Sequence, residues 1–104
     1  MPSPRATPSL NGNQRRYLRG LGHHLEPVVL VGKDGVTGGL VEATSVALEH
    51  HELIKVRLGD AAGDRHEVAA EIATRAAAML VQVIGRIAVL YRARADEPAI
   101  KLPA

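Results

Sequence analysis

Hydrophobic positions along this chain change period several times, and each change marks an element. Tyr17, Leu18, Leu21 and Leu25 recur at helical spacing and predict one apolar stripe. Asn11 with Gln14 three residues later is the pattern of a capping box at that helix's start. Val28, Val29, Leu30 and Val31 form a short continuous apolar run, rich in β-branched residues, that predicts a strand covered on both faces and ended by Gly32. Leu40, Thr44, Ala47 and Leu48 give a second helix over about residues 38–50, with Thr37 as N-cap and His50 and His51 at the negative end of its dipole. From Leu53 to Leu58 the pattern alternates, with Ile54, Val56 and Leu58 on one side and Lys55 and Arg57 on the other, as in a half-exposed strand with a basic outer face.

Gly59 to Gly63 is a turn cluster, after which Asp64 and Glu67 open a third helix buried through Val68, Ile72 and Ala76. Its end is not marked, because Ala76, Ala77 and Ala78 would all extend it. Leu80, Val81, Val83 and Ile84 then read as strand, Gly85-Arg86 as a two-residue hairpin turn, and Ile87 to Arg92 as the return strand. A last extended piece, Ile100 to Pro103, is expected along the sheet edge. The order α-β-α-β-α-β-β, without repeats, predicts an α+β domain with helices packed on a small mixed four-stranded sheet.

The 104 residues suffice for one domain, placed at 10–103, and 46% hydrophobic content argues against wholesale disorder. Residues 1–9, with three prolines and small polar residues, are expected to form a flexible tail. The absence of cysteine excludes disulfide frameworks and thiolate metal sites and fits a reducing compartment. No leader-like core or membrane-length apolar segment is present, so a cytoplasmic protein without a membrane partner is expected. The net charge of +2 is distributed unevenly. Residues 1–25 hold Arg5, Arg15, Arg16 and Arg19 with no acid, while the 11 acids lie beyond, among the remaining 9 of the 13 basic residues. Arginines on helix one without intrahelical acidic partners favour a positive surface over an ordinary solvated face.

The strand from Val28 runs into Gly32-Lys33-Asp34-Gly35. Glycines at both ends allow positive φ and let an anion approach the loop amides, Lys33 adds a point charge, and the N-terminus of helix two follows. A bare Gly-x-x-Gly is most often only a turn, so its setting carries the argument. Val31-Gly32-Lys33 resembles the end of a nucleotide-hydrolysing P-loop, but Pro27 stands at the upstream glycine position and Asp34 follows the lysine, which excludes that chemistry. The histidines come as adjacent pairs, His23-His24 and His50-His51, and as His66 alone. Adjacent helical residues diverge by about 100°, which does not favour chelation, so no metal is assigned. Glu49 and Glu52 near His51 suggest no pocket, and Ser9 and Ser45 have no base; no enzyme, cofactor or small-molecule substrate is expected. With only Tyr17 and Tyr91 as Phe, Trp or Tyr, the composition argues against base stacking on an aromatic platform and favours contact with a sugar-phosphate backbone.

Several ordered blocks, Gln14-Arg15-Arg16-Tyr17-Leu18-Arg19, His23-His24-Leu25, Val31-Gly32-Lys33-Asp34-Gly35, His51-Glu52-Leu53-Ile54-Lys55-Val56, Val81-Gln82-Val83-Ile84-Gly85 and Leu90-Tyr91-Arg92, together resemble a CRM RNA-binding domain of the bacterial single-domain YhbY type, from about Leu10 to Pro103. The resemblance implies a fold similar to the C-terminal domain of translation initiation factor three. It also implies association with precursor large ribosomal subunit RNA, so a non-catalytic ribosome-assembly factor is expected, acting as a monomer. Carried over by residue, the RNA-binding set is Gly32, Lys33, Asp34 and Gly35, with Arg15, Arg16 and Arg19 adjoining and Lys55 and Arg57 as further candidates. Two positions depart from the family pattern: Gly38-Gly39 at the start of helix two, and Ala77, where relatives often have a glycine ending helix three. The alternative is an adaptor that docks an acidic protein on the arginines of helix one.

Overall fold

In the computed structural model, which describes residues 10–59 and 63–104, the chain runs α1 (Gly12–Gly22), β1 (Pro27–Leu30), α2 (Gly38–His51), β2 (Leu53–Arg57), α3 (Arg65–Arg75), β3 (Met79–Ile84) and β4 (Ile87–Tyr91). The order is the expected one; the expected tail over residues 1–9 lies outside the described residues. Each helix starts on a side-chain cap. Asn11 and Gln14 form the reciprocal box, Gln14 N–H donating to Asn11 Oδ1 at 2.8 Å and Asn11 N–H to Gln14 Oε1 at 3.1 Å. Thr37 Oγ1 accepts from Leu40 N–H at 3.1 Å, and Asp64 accepts from both His66 and Glu67. These bonds satisfy helix donors that have no carbonyl of their own to meet.

The sheet is ordered β1-β2-β4-β3. β1 and β2 are parallel, and the other neighbours are antiparallel. One face carries the main core, where Leu48 of α2 and Val68 and Ile72 of α3 meet Val29, Ile54, Val56 and Leu90. The other carries a smaller cluster, in which Leu18 of α1 lies against Leu53, Val81, Val89 and Tyr91. Unequal cover of the two faces is the source of most departures from the sequence reading.

β1 is an edge strand, so its run is not buried on both faces: Val29 and Val31 enter the core, while Val28 and Leu30 alternate outward and are more than half exposed. Of the helix-one stripe only Leu18 is fully enclosed; Tyr17, Leu21 and Leu25 stay substantially exposed, because one helix cannot cover a whole four-stranded face. β2 is central rather than half open, and Leu53 is buried beneath α1. The segment Ile100 to Pro103 does not join the sheet edge. Ile100 and Leu102 pack into the smaller cluster, and Gln14 Nε2 donates to the Pro103 carbonyl at 3.0 Å.

The end of α3, unmarked in the sequence, is set by backbone geometry. Ala77 adopts φ 56°, and the N–H groups of Ala77 and Ala78 turn back to the carbonyls of Thr74 and Ala73. This is the left-handed C-terminal closure usually given to glycine. α2 ends differently, on Glu52, whose φ is also positive at 62° and whose N–H still bonds the Leu48 carbonyl. At the β3–β4 hairpin the left-handed residue is Gly85, φ 58°, which has no Cβ to oppose it.

Candidate nucleic-acid interface

β1 delivers the chain into the loop, and pairing fixes the point of departure: Val31 N–H donates to the Arg57 carbonyl of β2 at 2.9 Å. Behind it, Gly59 packs so closely that a Cβ there would collide with the Val31 carbonyl. The loop closes on itself, Gly35 N–H to Gly32 carbonyl at 3.0 Å, and Thr37 N–H then reaches the Gly35 carbonyl at 3.1 Å. Arg75 of α3 holds its far side through the Val36 carbonyl at 2.7 Å.

Within the Gly32–Gly35 loop only Gly35 uses a positive φ, 75°. Gly32 does not, contrary to expectation, so what it contributes is an open approach, with no heavy atom within 4 Å of where its Cβ would stand. Lys33 and Asp34 occupy the exposed tip, and their N–H groups have no acceptor among the described residues. The α2 N-terminus follows at once, without an acid in its first turn, and Thr37 caps it directly before Gly38, so the paired glycines do not delay the helix. Free amides, one lysine and a helix N-terminus are groups that can receive an anion. Asp34 opposes that field, which leaves Lys33 and the amides as donors.

The basic candidates separate into groups. Arg15 is half-buried, and its guanidinium donates to the carbonyls of Leu80 and Val81 at 2.9 and 2.7 Å, where β3 is irregular in register against β4. It ties α1 to an edge strand through Nη1 alone, and Nε and Nη2 keep their donors without an acceptor among the described residues. Arg16 stays exposed beside Asn13. Arg19 is exposed and shares a groove with Lys55; Lys55 Nζ reaches the His23 carbonyl at 3.5 Å, the negative end of α1. Arg57, two residues along the same face, sits at the root of the loop. Arg19 and Lys55 therefore face one groove, Arg57 lies two residues further along β2 where Val31 leaves for the loop, and Arg15 is turned toward β3.

Sequence reasoning passed over two anchoring side chains. Glu52 is fully buried and accepts N–H groups from Arg94, Ala99 and Ile100. Burial raises its pKa, but those backbone bonds and the Arg94 charge outweigh it, and the carboxyl lies below its ordinary value. Arg92 ties the middle of α2 to the end of α3 through the Ser45 and Ala76 carbonyls at 3.0 and 2.6 Å. The available signal was a glutamate, not a glycine or asparagine, at a helix-to-strand turn without a loop. No group of three His, Cys, Asp or Glu suited to a metal occurs among the described residues. No helix there is long and apolar enough to cross a membrane.

Residues 10–92 match the family model of the CRS1 / YhbY (CRM) domain. A Haemophilus influenzae protein named "RNA-binding protein" is 42% identical over 96 residues, spanning 91% of this chain and 96% of that one. The Bacillus subtilis "Probable RNA-binding protein YqeI" is 40% identical over 95 residues, spanning 90% and 99%. Among solved structures, that of the Staphylococcus aureus protein SAV1595 in solution superposes with a TM-score of 0.78 at 38% identity, covering 91% of this chain and all of that one. With the loop, the strand that mounts it and the helix behind it all lying inside the matched residues, the chain belongs to the CRS1/YhbY (CRM) domain family.

Proposed function

We propose that this chain is a non-catalytic RNA-binding protein that associates, as a cytoplasmic monomer, with precursor large ribosomal subunit RNA and assists its assembly. The observation that carries the reading is the Gly32–Gly35 tip, whose Lys33 and Asp34 amides lack protein acceptors, in a chain of a family whose relatives are named for RNA binding. The tip grips the sugar-phosphate backbone, with Arg16, Arg19, Lys55 and Arg57 extending the contact. Such contacts follow the shape of structured RNA more than its sequence.

Salt titration of binding to ribosomal RNA tests the mechanism. Neutralising about three to six phosphates gives log K against log salt a slope of roughly −2 to −5, and Lys33→Ala reduces it by about one. Binding indifferent to salt would refute the phosphate contact. Sedimentation of a lysate tests the partner: co-migration with precursor large subunits is expected, and recovery only with non-ribosomal proteins would favour the adaptor reading.

A further inference from the structure

The sheet face under α1 is only partly covered, and strand register defines what is left open. Leu53, Tyr91 and Met79 form one cross-strand row in the cluster beneath α1. The next row is Lys55–Val89–Gln82, and the next Arg57–Ile87–Ile84. Beyond the last turn of α1 these rows form a groove of about 160 Å³, with Val89, Ile87 and Ile84 as its floor and Arg19, Lys55 and Gln82 on its rim. Ile84 is 59% exposed, and the Gln82 carboxamide has no hydrogen-bond partner among the described residues. No acid lines the groove.

Three properties select an occupant. An aliphatic floor needs a flat apolar face, which a paired helix does not present, since its bases are stacked and its exterior is phosphate and sugar. Two cations without an acidic neighbour need an anion. A free carboxamide beside the floor offers a donor and an acceptor, suited to the edge of a heterocycle. The volume is that of a few water molecules, the scale of one base and small for a drug-sized ligand.

We infer that this groove receives a single unpaired nucleotide of the bound RNA, its base on Ile84, Ile87 and Val89, its edge read by Gln82 and its phosphate held by Arg19 and Lys55. The inference rests on the RNA-binding reading above and narrows it: the substrate class is a helix flanked by a bulge or junction, with the helix backbone on the Gly32–Gly35 tip. The missing aromatic platform is replaced by an aliphatic one.

The test compares a short fully paired RNA duplex with the same duplex carrying one bulged nucleotide. The full chain should bind the bulged form about tenfold tighter, the low end of what a base stacked on an aromatic ring contributes. The variants Gln82→Ala and Ile84→Ser, both at positions outside the buried core, should lose that preference and keep the affinity for the paired duplex, while Lys33→Ala weakens both. Equal affinity for the two RNAs would overturn the groove assignment and leave the phosphate tip standing. Absence of salt-dependent binding to either would overturn both. Displacement of the bulged duplex alone by a short polyglutamate peptide would give the groove to a protein partner instead.

Discussion

Glu52 Oε2 accepts the backbone N–H of Arg94 at 2.8 Å from inside the protein, and Oε1 takes Ala99 and Ile100 N–H at 2.9 Å each. One carboxylate thus fixes a stretch of chain that has no strand or helix to hold it. Glu52→Gln replaces one of those acceptors by a donor facing N–H groups, and should cost about 2–4 kcal/mol in chemical denaturation at neutral pH. Because the folded carboxyl lies below its ordinary value of 4.5, its contribution is complete above that pH and is lost as pH falls through the lower folded value. The stability gap between wild type and variant should therefore narrow on acidification below about 4.5. A gap constant from pH 7 to pH 3 would show that the charge is not what holds the segment.

Ala77 pays for a conformation that glycine adopts freely. Ala77→Gly should stabilise the fold by about 0.5–1 kcal/mol, the left-handed penalty for an L side chain less the extra unfolded-state entropy of glycine. A thermal melt should move up by a few degrees; a lower midpoint would contradict the geometry at the end of α3.

Arg15 and Arg19 lie four residues apart on α1, and Arg15 is bonded to β3 while Arg19 faces the groove beside Lys55. Arg15→Ala leaves the Leu80 and Val81 carbonyls without a charged donor and should destabilise by about 1–3 kcal/mol, with little change in the salt slope of RNA binding. Arg19→Ala should do the reverse, with stability unchanged within about 0.5 kcal/mol and a slope smaller by about one. Matching slope changes for both would place Arg15 in the RNA contact after all.

The two loop glycines should fail differently. Gly32→Ala meets no heavy atom and no forbidden φ, so folding should be unaffected while the methyl shields the tip amides and lowers RNA affinity. Gly35→Ala forces a side chain to φ 75°, and should cost about 1 kcal/mol as well as affinity. Equal melting temperatures for the two variants would count against the observed loop.

Local signals carried the element order well. The Asn11–Gln14 box, the Thr37 and Asp64 caps and the Gly85-Arg86 turn depend on neighbours in sequence, and all lie where residue type predicts. What the sequence did not reveal depends on partners far along the chain. Whether Val28 and Leu30 are buried is decided by the place of β1 at the sheet edge, a property of strand order and not of the apolar run. Arg15 reads from sequence as one of three outward RNA-contact arginines, and nothing local tells that two carbonyls of β3, some 65 residues away, receive its Nη1. Glu52 looked like surface charge, since no local rule tells that residues 94–100 return to it.

That return has a consequence for how the chain comes off the ribosome that makes it. Glu52 is synthesised with α2 and β2, but its donors follow more than 40 residues later, and Ile100 and Leu102 complete the cluster under α1 later still. While synthesis is under way the carboxylate stays hydrated and the α1 face of the sheet stays loose. The main core, made from α2, α3 and the strands, can assemble first, and closure of the second face waits for the last stretch to emerge.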